Sequence, residues 1–246
     1  MKAWYLLGAA LFLTACGGGG SSGGAAPVPS AGPTVKFFSA NNGANNFQLW
    51  KTDGTEAGTS MVKVINAGGG ADIEVLGSLG TKTIFLADDD DLYGQELWVT
   101  DGTEAGTTLL KDIRVGTLGT FIPSFAIADG TLYFGAYDDV SGTELWKTDG
   151  TPAGTVMVKD IQPGVNGNGV SDLVTMGSTV FFSANDGTAG YELWTTDGTA
   201  AGTVMVAEIA PGAASSGISE MVSVDGMLYF NATDGSNGYE LWKSDG

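Results

Sequence analysis

The sequence predicts an all-β protein, a β-propeller built from four-stranded blades. Three observations predict it: Trp recurs every 48 residues in five copies, each copy divides into short strand-like stretches, and no stretch has the period or length of a helix. Four short antiparallel strands in roughly 40 to 50 residues are typical of a propeller blade. Leucine-rich solenoids and helical repeats fit this pattern less well.

The repeat keeps its register without an insertion or deletion. A Leu precedes each Trp, and Asp-Gly begins at the third residue after it in all five copies. We interpret the tryptophans as core between blades rather than as a carbohydrate-stacking surface. We interpret each aspartate as a carboxylate that accepts backbone N–H groups in a turn rather than as a catalyst. These motif residues are Trp50, Asp53, Trp98, Asp101, Trp146, Asp149, Trp194, Asp197, Trp242 and Asp245.

The fourth copy illustrates the four strands of a blade, which the pattern places at 171–176, 179–184, 191–196 and 203–209. The segment 197–203 joins the last two strands, and its two glycines suit the positive φ angles of a tight connection. It is therefore predicted to be a hairpin.

Both ends of the repeat region are incomplete copies. The first copy begins near Val35 at its second strand, and the fifth stops at Gly246 inside the motif that the other copies continue with Thr-x-x-Gly-Thr. We expect a C-terminally truncated product, in which a five-blade ring would lack two strands.

The N-terminus predicts export. Lys2 and the apolar run 3–13 have the order of a signal peptide, and that run is too short for a membrane span. Leu13-Thr14-Ala15-Cys16 resembles the lipobox of bacterial lipoproteins, in which the cysteine becomes the first mature residue and carries acyl chains. The resemblance implies a lipoprotein signal peptide at 1–15 and lipid attachment at Cys16; the alternative is an ordinary signal with a stray cysteine.

Residues 16–33 form the lipidated cysteine and a flexible Gly/Ser/Pro linker, and 34–246 form the repeat domain. The segment 144–155, Glu-Leu-Trp-Lys-Thr-Asp-Gly-Thr-Pro-Ala-Gly-Thr, resembles the signature of the bacterial ELWxxDGT-repeat proteins, and related copies cover 35–246. Gln48, Val99 and Ser244 are small departures. The resemblance implies a propeller-like repeat on the bacterial cell envelope, lipid-anchored at the outer membrane or cell surface, and no common activity.

Composition excludes several functions. The net charge of −18 argues against nucleic acid as a partner. Histidine is absent and Cys16 is the one cysteine. Triads that use His, Cys nucleophiles and His-ligated zinc sites are therefore excluded for this chain.

Acidic loops raise the question of calcium, which binds clustered oxygen ligands. The candidate ligands are Asp88, Asp90, Asp138, Asp186 and Asp234. Against this stands the lack of the regular EF-hand order, since Asp-Gly in a hairpin is ordinary turn chemistry. No cofactor is required, and calcium is kept as a prediction.

Near-identical copies offer symmetry, whereas catalysis needs convergent and unequal residues. We therefore expect a membrane-tethered envelope or surface protein without enzymatic activity. It would act as a scaffold or bind an unidentified protein or glycan ligand through its loops. The alternative is a carboxylate-based propeller glycoside hydrolase or lyase.

Overall fold

The computed structural model of the protein describes residues 34–89, 93–165 and 169–246, and this described part is all-β. The segments predicted as signal peptide (1–15) and linker (16–33) lie outside it. No helix in the described ranges has the length and apolar character needed to cross a membrane. The strands are β1 Lys36–Asn41, β2 Phe47–Thr52, β3 Ser60–Lys63, β4 Glu74–Leu79, β5 Lys82–Asp88, β6 Gln95–Thr100, β7 Thr108–Lys111, β8 Phe125–Ala128, β9 Thr131–Asp138, β10 Gly142–Thr148, β11 Val156–Lys159, β12 Val170–Met176, β13 Thr179–Asn185, β14 Tyr191–Thr196, β15 Val204–Ala207, β16 Ser219–Val224, β17 Met227–Thr233 and β18 Tyr239–Ser244.

These strands form five antiparallel sheets in chain order, with three strands in the first and fifth sheets and four in the others. We number the sheets one to five. The all-β prediction is confirmed, and β12 to β15 lie where the fourth copy predicts its strands. The predicted hairpin at 197–203 joins the antiparallel pair β14 and β15.

The first strands of sheets three, four and five are neighbours. Strand β12 contacts both β8 and β16. In sheets two, three and four the second strand is buried on both faces, as in β9, where Leu132 to Ala136 are all buried. Strands covered on both faces carry continuous apolar runs, which explains the aromatic and aliphatic pairs before each Trp.

The core lies between consecutive sheets. One cluster joins Leu97 of sheet two to Phe134 and Trp146 of sheet three. The next joins Leu145 of sheet three to Phe182 and Trp194 of sheet four. Because sheets two to five pack their motif Trp against the preceding sheet, the 48-residue repeat in sequence becomes a repeated interface in space.

An antiparallel sheet with sequential strands has two ends. We call one the hairpin end, which carries the Asp-Gly-Thr hairpins and the turns between first and second strands. The other is the connection end, which carries the turns between second and third strands and the connections between sheets, such as 112–124 and 208–218. Backbone bonds tie these connections to the sheets, as Thr120 N–H donates to Gln95 O at 2.8 Å.

Candidate functional site

The motif aspartates of sheets one to four brace turns at the hairpin end. Asp149 Oδ1 accepts hydrogen bonds from Thr151 N at 2.8 Å and Thr151 Oγ1 at 2.7 Å. The bond from the Thr151 hydroxyl holds the pKa of the Asp149 carboxyl below its ordinary value. Equivalent bonds occur at Asp53, Asp101 and Asp197. Asp245 follows the end of strand β18 and is exposed. In these four hairpins the carboxylate is engaged by its own turn.

The motif tryptophans do not form a surface for stacking sugars. Trp98, Trp146 and Trp194 are buried between sheets, and Trp50 and Trp242 are half-buried. Lysines of the preceding sheet cover two of the rings, with Lys63 Nζ 5.7 Å from the Trp98 ring centroid. These tryptophans therefore belong to the packing between sheets.

A buried carboxyl lies two residues before the Trp in sheets two, three and four, at Glu96, Glu144 and Glu192. Glu96 accepts hydrogen bonds from the backbone N–H groups of Ile113 at 3.0 Å and Arg114 at 3.1 Å. Burial raises the pKa of Glu96 and of Glu144 to about 7. These groups fasten each sheet to its outgoing connection, and their burial keeps them from a bound ligand.

Three of the loop aspartates predicted as calcium ligands are engaged in turns, and Asp88 is the last residue of strand β5. Asp186 Oδ1 accepts from the N–H groups of Thr188 and Ala189, and Asp138 and Asp234 accept two backbone N–H groups each. Within the described ranges no group of three His, Cys, Asp or Glu side chains is placed to hold a metal. Calcium at Asp88, Asp138, Asp186 and Asp234 stays a prediction, and Asp90 and Cys16 lie outside the described residues.

A second acidic group lies at the connection end beside Glu96. Asp112 is half-buried, and its Oδ1 atom has no hydrogen-bond partner among the described residues. Burial and the nearby carboxylate of Asp89 raise the pKa of Asp112. Arg114, two residues further on, pairs with Asp139 at 3.1 Å and is not free to neutralise Asp112.

A cleft of about 400 Å³ opens at the connection end, against sheets three and four. Its walls combine hydroxyl groups with aromatic rings, and the Phe121 ring is 72% exposed. Concave sites with a few convergent polar groups in apolar walls are typical of ligand binding. The residues that shape the cleft include Phe121, Thr143, Ser171, Ser183, Tyr191 and Ser215.

Two carboxylates occur beside this cleft in an unusual backbone conformation. Asp172 and Glu220 have φ angles of 54° and 55°, and each lies in a bulge of a first strand, β12 or β16. Ser171, which lines the cleft, donates its hydroxyl to Asp172 Oδ2 at 2.8 Å. Left-handed backbone is costly for residues with a Cβ and clusters at functional sites, so these positions are the strongest candidates for chemistry.

The carboxylate pair breaks the symmetry of the repeat. Asp172 and Glu220 occupy equivalent positions, 48 residues apart, at which the two earlier copies have Leu76 and Ser124. Both acidic side chains are exposed, and their strands are in contact. These two residues were not predicted from the sequence, because they do not belong to the acidic positions that recur through the copies. Comparing copies for acidic residues present in only some of them would have found the pair.

No protein-family model matches the chain, and no curated protein matches it either. Among solved structures, the chain is similar to a puromycin hydrolase S511A mutant, with a TM-score of 0.51, 14% identity, and coverage of 81% of this chain and 31% of the other. It also matches an acylaminoacyl peptidase from Pyrococcus horikoshii (TM-score 0.44, 12% identity, coverage 80% and 30%) and a prolyl endopeptidase (TM-score 0.47, 12% identity, coverage 85% and 33%). The chain thus spans about a third of the length of these proteins.

This comparison corrects the predicted function. We expected a non-enzymatic binding or scaffold module, whereas the solved structure that the fold resembles at a TM-score of 0.51 is a puromycin hydrolase mutant. The prediction of no enzymatic activity is wrong on the same finding. At 14% identity the likeness itself concerns the fold.

Proposed function

We propose that the chain is the β-propeller of a hydrolase, with its substrate in the cleft and carboxyl groups as its acid and base. The propeller arrangement is supported by five consecutive antiparallel sheets whose first strands are neighbours in sheets three to five. The fold likeness to a puromycin hydrolase agrees with it. A single observation carries the catalytic assignment: Asp172 and Glu220 lie in matching left-handed bulges of adjoining strands beside the cleft.

Carboxyl groups are the natural choice for this chain because it has no histidine. Two carboxyl groups hydrolyse glycosidic bonds when one protonates the leaving group and the other activates water or attacks directly. The Ser171 hydroxyl donates to Asp172 Oδ2 at 2.8 Å and so orients that carboxyl. We therefore assign Asp172 as the base or nucleophile and Glu220 as the acid.

The cleft lining suits a polymeric substrate. Phe121 and Tyr191 offer aromatic faces, and the hydroxyls of Thr143, Ser183 and Ser215 offer both donors and acceptors. Because two carboxyl groups can hydrolyse glycosidic bonds, we take glycans as the first class of substrate. Peptides are the second class, because the similar solved structures include peptidases.

The test is hydrolysis by the purified full chain of a panel of envelope polysaccharides and of unstructured peptides. New reducing ends or new amino termini are measured with time. Asp172→Asn and Glu220→Gln are each expected to lower the rate by about 10² or more, the usual contribution of a positioned acid or base. Both substitutions keep the side-chain shape, and Asn tolerates left-handed backbone.

Asp225→Asn is the matched control, because Asp225 also has a positive φ (51°) but lies in the turn after β16 at the hairpin end. Its rate should stay within about twofold of the parent, since surface changes away from a site have small effects.

Asp112→Asn is measured alongside. If this variant loses hydrolytic rate while Glu220→Gln does not, the general acid is Asp112 and not Glu220. No product from any substrate would refute the hydrolase proposal.

We also propose that Cys16 anchors the protein in the envelope membrane through acyl chains. The lipobox-like segment 13–16 supports this. Cys16→Ser should release the mature protein from the membrane fraction and lower its mass by that of the lipid. Unchanged mass and location would refute the anchor without touching the hydrolase proposal.

A further inference from the structure

The bulge that carries Asp172 is tied to the neighbouring sheet. In this bulge the pairing of β12 with β13 shifts between Ser171 and Val174. A bulge leaves backbone groups without their ladder partner, and a buried N–H then needs a partner elsewhere. Leu173, the residue after Asp172, donates its N–H to Ser124 Oγ of sheet three at 2.8 Å. The amide that follows the carboxylate is therefore fixed by a side chain of another sheet.

Ser124 is the residue of sheet three that corresponds to Asp172 in the 48-residue repeat. The corresponding residue of sheet two is Leu76, whose side chain cannot accept a hydrogen bond. Ser124 is half-buried, and its backbone oxygen accepts from Gly135 N at 3.4 Å. The hydroxyl that reaches the bulge is thus attached to backbone that is itself bonded to strand β9.

Gly135 allows the segment before Asp172 to lie close to sheet three. A Cβ at Gly135 would lie 2.7 Å from the backbone oxygen of Val170, two residues before Asp172. Gly135 is buried, so one of the two strands would have to shift to make room. The corresponding residues of the other four sheets all carry a Cβ, and they are Ser39, Ala87, Ser183 and Asn231. Sheet three therefore lacks a side chain at the point where β12 approaches it.

Contacts with sheet three lie on both sides of Asp172. Before it, Gly169 N–H donates to Thr143 O at 3.1 Å, and Val170 lies against Gly135. After it comes the bond from Leu173 to Ser124. A residue with a Cβ keeps a left-handed backbone only where its surroundings over-determine that conformation. Sheet three supplies such surroundings for the φ angle of 54° at Asp172.

We propose that Ser124 and Gly135 are positioning residues for Asp172. Ser124 fixes the backbone after the carboxylate, and Gly135 sets how closely the backbone before it lies against sheet three. Neither residue belongs to the cleft wall in the described part of the chain. The catalytic consequence rests on the proposed hydrolase function, because a misplacement of about 1 Å can cost a catalytic group about 10² in rate.

The first test needs no substrate. Amide exchange of the purified full chain is followed by NMR in the parent, Ser124→Ala and Ser124→Thr. In Ser124→Ala the exchange of the Leu173 N–H should be faster by about tenfold or more, because this amide loses its acceptor. Ser124→Thr keeps a hydroxyl and should stay within about threefold of the parent.

Thr175→Val is the matched control. Thr175 Oγ1 donates to Ile127 O at 3.0 Å, so this variant also removes one hydrogen bond between β12 and the chain of sheet three around β8. The bond lies three residues beyond Asp172, on the far side of the bulge. Exchange of the Leu173 N–H should therefore stay within about twofold of the parent.

The second test uses the polysaccharide or peptide that the parent hydrolyses fastest. Ser124→Ala and Gly135→Ala should each lower kcat by about tenfold or more and leave KM within about threefold, because the base is misplaced while the cleft wall is kept. Ser124→Thr should restore kcat to within about threefold, and Thr175→Val should stay within about twofold. The Ser124 series changes a half-buried residue, so the test does not depend on the folding of Gly135→Ala.

Two outcomes would overturn the proposal. One is unchanged exchange of the Leu173 N–H in Ser124→Ala, and the other is an equal loss of kcat in Ser124→Ala and Thr175→Val. The second would mean that general loosening between the sheets, and not the placement of Asp172, lowers the rate. A parent chain that yields no product refutes the hydrolase proposal instead, and the exchange measurement then still decides whether Ser124 holds the bulge.

Discussion

Glu144 Oε2 accepts a hydrogen bond from the backbone N–H of Ile161 at 2.6 Å, across 17 residues of chain. Its other oxygen accepts from Gln162 N at 3.2 Å. One buried side chain thereby fastens strand β10 to the connection that leads to sheet four. Glu96 and Glu192 make the same pair of bonds in their sheets. In sheet one the side-chain oxygen of Gln48 accepts both of the equivalent bonds. Its side-chain nitrogen also donates to the backbone oxygens of Asn45, Asn66 and Gly69.

Glu144→Ala should lower the free energy of unfolding by about 2 to 4 kcal/mol, because two buried N–H groups lose their acceptor. Glu144→Gln should cost less than half of that, since Gln48 performs the task in sheet one. Urea unfolding of both variants measures the difference. Equal losses would mean that the charge of Glu144, rather than its role as acceptor, stabilises the connection.

Stability should fall as pH rises from about 5 to 8. The folded state raises the pKa of Glu96 and Glu144 to about 7, above the ordinary value of 4.5. The folded chain therefore binds protons more tightly than the unfolded chain, and the resulting stability is complete below pH 4.5 and is lost through pH 7. The loss is on the order of 1 to 3 kcal/mol for each group. Thermal unfolding at several pH values measures it, and Glu144→Gln should flatten the slope; an unchanged slope would contradict the assignment.

Gly154→Ala should destabilise the third motif hairpin. A Cβ at this position would collide with Asp149 Oδ1, the atom that accepts from Thr151. We expect a loss of about 1 to 3 kcal/mol by overpacking. The double variant Asp149→Ala with Gly154→Ala removes the obstruction and should lose less than the sum of the two single changes. Strict additivity would show that the collision is relieved elsewhere.

Lys147→Met should loosen sheet three from sheet four. Lys147 Nζ donates to Gly198 O at 2.8 Å, and the same bond joins Lys51 to Gly102 in the first two sheets. Loss of this bond should cost about 1 to 2 kcal/mol, because a charged donor is removed from a half-buried carbonyl. Lys243→Met is the matched control: Lys243 has the same repeat position in sheet five but is exposed, and its change should stay within about 0.5 kcal/mol.

The sequence alone was sufficient for the local structure. Aromatic pairs such as Tyr133 and Phe134 and the glycines after each motif Asp predicted strands and hairpins that the structure confirms. The candidate site was not predicted in the same way. Asp172 and Glu220 are ordinary acidic residues in sequence, and their importance comes from the bulges and from the contact between β12 and β16. Neither feature can be recognised from the residues next to Asp172 or Glu220 in the sequence, because both depend on how separate sheets pack.

The 48-residue period by itself determined that this protein is a series of β-sheets with one Trp in each and an Asp-braced turn in the first four, since alternation and turn chemistry act over a few residues. Only the tertiary structure decided which acidic groups are buried links, such as Glu144, and which are exposed beside a cleft, such as Asp172. The physical reason is that burial of a side chain is set by neighbours distant in sequence, and identical motifs therefore acquire different roles according to the sheet that lies beside them.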